Sequence, residues 1–127
     1  MTGYVDNIEK LTLSNTNFRQ IVYTGQHAQL VLMSLLPSED IGMETHQTTD
    51  QFLRVEQGEG KVVMNGEEHL IKDGSAIIVP AGKEHNIINS CSERELKLYT
   101  IYSPPHHKDG IVHKTKQDAS ADQTDHL

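Results

Sequence analysis

Eight histidines in a chain of 127 residues invite a metal hypothesis, and position decides which of them matter. His27, His69 and His126 sit in contexts that suggest nothing beyond solvated surface. Glu44 and His46 stand two apart in a stretch that reads as extended, so a carboxylate and an imidazole leave the chain on the same face. Gln51 shares a face with Leu53 and Val55, an apolar set, and this turns its amide inward. A buried amide needs partners, and its carbonyl oxygen is one that a metal would accept. His85 opens a short apolar run with Ile87 and Asn89 on its own face, whereas Asp50 falls opposite Gln51 and reads as solvated.

The elements that must position these groups are strands. Residues 18–24 and 28–36 are rich in β-branched and apolar residues, with Thr24, Gly25 and Gln26 supplying turn chemistry between them. Residues 51–56 and 60–65 flank a short loop containing Gly58. Asn65-Gly66 is the strongest hairpin signal in the chain, because both residue types tolerate the positive φ of a type I′ turn. Further strands are expected over 67–71, 75–80, 85–89 and 95–102, while 8–13 fits a helical turn or a first strand equally. About eight short strands with regular turn signals predict an all-β sandwich or barrel. Residues 114–127 are polar and small, and they predict a disordered tail behind a single domain spanning 1–113.

From Gly74 the chain runs through Pro80 and Gly82 to His85 and Asn89. Gly74 permits a turn into a strand, and Pro80 and Gly82 end that strand and redirect the chain. This resembles the second motif of the cupin family at every marked position. Upstream, aligning Gly58 with the glycine that closes the first cupin motif puts Gln51 at the family's glutamate, His46 at its second histidine and Glu44 at its first. The resemblance covers roughly residues 28–105. It implies a double-stranded β-helix, the cupin jelly-roll barrel, with one divalent metal on Glu44, His46, Gln51 and His85. Two of the three ligand positions in the first motif depart from the usual residue types. Two imidazoles, one carboxylate and one amide oxygen suit zinc, manganese, iron(II) or nickel. The set is similar to that of type I phosphomannose isomerases, and this implies a sugar or sugar-phosphate isomerase. A non-haem metal dioxygenase acting on a small chelating substrate and a non-catalytic small-molecule binder are the alternatives.

His106, His107 and His113 follow the last strand and read as a polar loop wrapping the barrel. Tyr99 and Tyr102 read as core or interface, with one phenol able to reach the pocket as a proton donor. Cys91, the sole cysteine, sits in a loop composition; it excludes an intramolecular disulfide and a multi-cysteine zinc site. A formal net charge of −7 and three scattered arginines, Arg19, Arg54 and Arg94, argue against nucleic acid and anionic membranes as partners. The first residues carry acidic groups without an apolar core, unlike a signal peptide, and no apolar run approaches the ~18 residues of a membrane span. The expectation is a cytoplasmic protein with a small-molecule ligand. A homodimer is expected, in which a neighbour covers an edge strand such as 19–23.

Overall fold

In the computed structural model, which describes residues 3–125, the chain forms nine strands and two short helices. The elements are α1 (Ile8–Ser14), β1 (Arg19–Thr24), β2 (Gln29–Leu35), β3 (Asp50–Gln57), β4 (Glu59–Met64), β5 (Glu67–Lys72), β6 (Ala76–Val79), β7 (His85–Ile88), β8 (Leu96–Ser103), β9 (Val112–His113) and α2 (Lys116–Ala121). Every pairing is antiparallel. One sheet has the order β6-β3-β8-β2-β1-β9, and the other has the order β5-β4-β7. Residues 39–44 extend the smaller sheet beyond β7: the Ile41 N–H donates to the Ile87 carbonyl at 2.9 Å, and Glu44 and His85 exchange both backbone bonds at 2.8 and 2.9 Å.

The sequence patterns explain these elements. Period-two alternation in β3 buries Gln51, Leu53 and Val55 and exposes Arg54. Those inward residues meet Val31, Met33 and Leu35 of β2, Leu98 of β8 and Val62 and Ile87 of the smaller sheet in one core between the sheets. Asn65 and Gly66 adopt φ of 49° and 84°, as the type I′ turn requires. Gly60 serves a different need, since a Cβ there would collide with the Ile88 carbonyl of the neighbouring strand. Its lack of a side chain lets β4 and β7 come together under Leu96. Asp50 is exposed as expected, and its carboxylate accepts the Ala81 N–H at 2.8 Å, tying the start of β3 to the turn before β7.

Of the two options at residues 8–13, the helix forms. The Asn7 side chain accepts from the Lys10 N–H at 3.0 Å and caps its first turn.

The expected disordered tail after residue 113 is instead ordered across 114–125, while 126 and 127 lie outside the described residues. Apolar burial contributes little there, beyond Ala119 packing on the core edge. The segment is held by polar pairs that composition does not reveal. Asp122 Oδ2 lies 2.9 Å from His113 Nε2, Asp125 Oδ2 lies 2.8 Å from His107 Nδ1, and Lys116 pairs with Asp40 at 2.5 Å. The edge of β1 is also partly covered by its own chain. Segment 111–113 pairs with Arg19 and Gln20 and accepts the Ile21 N–H, and further along Thr24 Oγ1 donates to Asp109 at 2.8 Å.

Candidate metal centre

Four elements converge at one end of the barrel. The backbone exchange between Glu44 and His85 makes them directly opposed residues, so their side chains share a face. His46 follows two residues after Glu44, and the Gly82 N–H donates to its carbonyl at 2.8 Å. From the larger sheet, β3 brings Gln51 opposite Tyr102 of β8. The chain leaving β8 then folds back over the opening and delivers His106.

The donor atoms form two facing pairs. His46 Nε2 lies 3.3 Å from Glu44 Oε2, yet this nitrogen is buried and has no hydrogen-bond partner. His85 Nε2 lies 3.1 Å from Gln51 Oε1, and its Nδ1 lies 3.0 Å from the Lys83 carbonyl. A neutral imidazole carries one N–H. Assigned from this geometry, the N–H sits on Nδ1 and points at Lys83, leaving Nε2 and the Gln51 oxygen as lone pairs facing one another. Donating the distal N–H to a backbone carbonyl is the arrangement metal-ligating histidines adopt. Ligands about 2.0–2.1 Å from a metal stand about 3.0–3.4 Å apart, which spans both facing pairs. Each facing pair thus has the spacing of two ligands on one ion, and the three donors whose ligand atoms all lie within 4.8 Å of one another are Glu44, His46 and His106. Gln51 Nε2 donates to Thr100 Oγ1 at 3.0 Å, which fixes its oxygen toward His85.

Electrostatics favour the metal-binding forms of the imidazoles. Burial, reinforced by His106, His85, His107 and Arg19, pulls His46 down to about 3, so its ring is neutral at neutral pH. Burial raises the Glu44 carboxyl, and the Arg19 guanidinium and His85 partly offset that rise. Burial and the Arg19 charge lower His106, while Asp125 opposes them.

His106 is misplaced by the sequence reading. Its ring centroid lies 4.1 Å from that of His46, and ligand atoms of Glu44, His46 and His106 all lie within 4.8 Å of one another. His107 and His113 are also buried rather than spread over a polar surface loop. The organiser is Gln29, fully buried in β2. Its Oε1 accepts the His106 and His107 N–H groups at 3.1 and 2.9 Å, and its Nε2 donates to the His107 carbonyl at 2.7 Å and to Thr24 Oγ1 at 2.9 Å. A buried glutamine in an apolar strand was the available signal. Its register opposite Tyr102, two residues before the proline-histidine run, tells which loop it holds.

Tyr102 is core and also faces the site, with its ring 5.6 Å from His46 and 5.4 Å from His106. Its hydroxyl lies 3.3 Å from His107 Nε2, and His107 Nδ1 meets Asp125, giving a chain Asp125–His107–Tyr102. Burial holds the Tyr102 phenol protonated and brings His107 down to about 4. Neutral His107 therefore donates from Nδ1 to Asp125 and accepts from the phenol. Tyr99 points away, against Phe52 at 6.2 Å. Arg19, one of the scattered arginines of the sequence, is buried beside Glu44.

A barrel of this topology is that of a cupin, and the histidine-carboxylate cluster at its mouth could hold a metal ion. The cupin domain model Cupin_2 matches residues 31–102, and the chain belongs to this family. It is 51% identical over 124 residues to Bacillus subtilis (strain 168) YrkC, described as uncharacterized, covering 93% of this chain and 66% of that protein. It is also 45% identical over 113 residues to L612 of Acanthamoeba polyphaga mimivirus, likewise described as uncharacterized, covering 86% of this chain and 70% of that one. The crystal structure of BH2720 from Bacillus halodurans superposes with a TM-score of 0.91 at 46% identity, covering 94% of each chain. Among the described residues no helix is long and apolar enough to cross a membrane.

Proposed function

We propose that this cupin is a small metal-dependent isomerase, holding one divalent ion on Glu44, His46, Gln51 and His85 and moving a proton within a hydroxy-carbonyl substrate of the sugar type. The observation that carries this reading is the pair of facing lone-pair donors, 3.3 and 3.1 Å apart, with a further imidazole beside them. The metal would polarise adjacent carbonyl and hydroxyl oxygens. His106, neutral and 4.1 Å from His46 by ring centroids, accepts the proton. Tyr102 lies across the same opening, and its phenol orients through His107 and Asp125. A sugar phosphate is the less favoured substrate, because the opening gathers carboxylates rather than several cations.

One observation favours a second reading. Glu44, His46 and His106 together make a two-histidine, one-carboxylate triad, the donor set of non-haem iron(II) oxygenases. His106 separates the two. In the isomerase His106→Ala keeps one metal per chain and lowers substrate-dependent carbon–hydrogen exchange in deuterated water by about 10²–10⁴-fold. In the oxygenase the same variant loses iron, and the wild type consumes dioxygen with a diol or thiol. Metal loss in His106→Ala, with no exchange in the wild type across an aldose and ketose panel, refutes the isomerase.

We further propose a homodimer formed along the outer side of β1, beyond the segment paired with residues 111–113. Light scattering that finds only monomer at assay concentrations removes it.

A further inference from the structure

Beside the metal donors lies a cavity of about 290 Å³, bounded by Arg19 and Phe18 at the start of β1, Glu44, His107, and Asp122 and Asp125 behind α2. Arg19 points inward on the same face as Ile21 and is only 7% exposed. Its Nε is buried without a hydrogen-bond partner, and among the described residues no carboxylate comes within ion-pair distance of its guanidinium. The Phe18 ring, 5.3 Å from Cζ, backs one side of the planar group. The charge nevertheless reaches across the opening, since it acts on Glu44, His46, His106 and His107.

A buried guanidinium is costly to hold unless an anion meets it. The nearby acids have other engagements. Glu44 faces His46 as a donor of the metal set, and Asp125 accepts from the Lys108 N–H at 2.8 Å and meets His107 at 2.8 Å. Asp122 binds His113. The pocket's second cation, Lys116, is paired with Asp40. Among the described residues that leaves one positive group of the pocket without an ion pair, amid three carboxylates. With these carboxylates around it, a singly charged planar anion meets far less repulsion than a dianionic phosphate would. A planar guanidinium matches a carboxylate with two parallel N–H bonds.

We propose that Arg19 anchors the carboxylate of the ligand, so that the pocket takes small hydroxy- or oxo-acids, such as sugar acids, with the acid held at Arg19 and its neighbouring oxygens turned to the metal donors. The second half of this arrangement rests on the metal reading above; the Arg19–carboxylate contact does not. Arg19 stands outside the family-matched segment at 31–102, so this selectivity belongs to the β1 edge and the α2 cover rather than to the barrel motifs.

The test follows the Arg19 side-chain Nε–H signal in ¹⁵N-labelled full-length protein, assigned by its loss in Arg19→Lys. Lactate and gluconate are titrated against the neutral counterparts lactamide and glucose, first in metal-free protein and then after zinc loading. The expected result is a saturable shift with the acids and at least tenfold weaker binding of the neutral compounds. Arg19→Lys and Arg19→Gln, checked for folding by thermal unfolding, should lose at least tenfold in acid affinity and take up zinc as the wild type does. If zinc fails to bind while the acids still move Arg19, the metal reading falls and the anchor stands. An Arg19 signal that neither acid moves in either form overturns the anchor, as does a folded Arg19→Gln that binds gluconate like the wild type.

Discussion

Replacing Gln29 by leucine tests whether the loop that carries His106 is held from inside the barrel. The side chains are similar in size, so little packing volume is lost. What disappears is an amide with four hydrogen bonds, two of them fully buried: the His107 N–H donated to Oε1 at 2.9 Å and the His107 carbonyl accepting from Nε2 at 2.7 Å. A buried backbone group left unpaired costs about 1–3 kcal/mol. The two together amount to about 2–6 kcal/mol if the loop keeps its place. The bonds to the His106 N–H and Thr24 Oγ1 are only part-buried and can pass to water. Native stability of a small domain is about 5–15 kcal/mol, so Gln29→Leu should lower the urea midpoint clearly while leaving a folded majority at room temperature. Loop 104–108 should then relax outward and take His106 from His46. Paired urea titrations give the stability loss, and the C2–H and C4–H resonances of His46 report the ring contact. A loss below about 1 kcal/mol together with unchanged His46 resonances would refute the argument, because the loop would then hold its place without the amide.

Two further outcomes follow. His46 and His107 are brought down to about 3 and about 4 by burial, whereas both titrate near 6.5 when unfolded, so the unfolded chain binds more protons between those limits. Stability of the metal-free protein should therefore fall as pH drops from about 6.5 toward 4, by on the order of a few kcal/mol; urea midpoints that stay level or rise over that window contradict the burial of these rings. Truncation after His113 removes Asp122 and Asp125 from two buried imidazoles and should lower the melting temperature by several degrees, an effect of about 1–3 kcal/mol for groups left unpaired. A truncated chain that melts with the full-length protein would show the segment to be dispensable.

The barrel was legible because its signals are local. Alternation in 51–56, the Asn65-Gly66 turn and the Gly74-to-Asn89 pattern each act over a few residues, and the strands formed within a residue or two of their expected limits. Gln51 also faces inward as its alternation implies, and its contact with His85 joins groups 34 positions apart. His106, Arg19 and the closing segment were not legible. Each acquires its meaning from a partner far along the chain: Gln29 with 106 and 107, Arg19 with the pocket behind α2, Asp125 with His107. Polar composition after residue 113 predicts exposure. It cannot show that two of its aspartates reach buried histidines, because that geometry depends on where β8 and β9 end.

The candidate donors come from opposite layers of the sandwich. Glu44 and His85 belong to the smaller sheet, while Gln51 stands on β3 of the larger one and His106 follows β8. An ion held on both sides would work as a rivet between the two layers. Its grip is also a reading of their spacing: a splay of an ångström between the layers breaks ligand distances of about 2.0–2.1 Å that tolerate little stretch. By mass action an ion at a hundred times its dissociation constant adds about 2.7 kcal/mol to the closed form. Metal supply would then bear on how firmly the two layers hold the shape of the pocket.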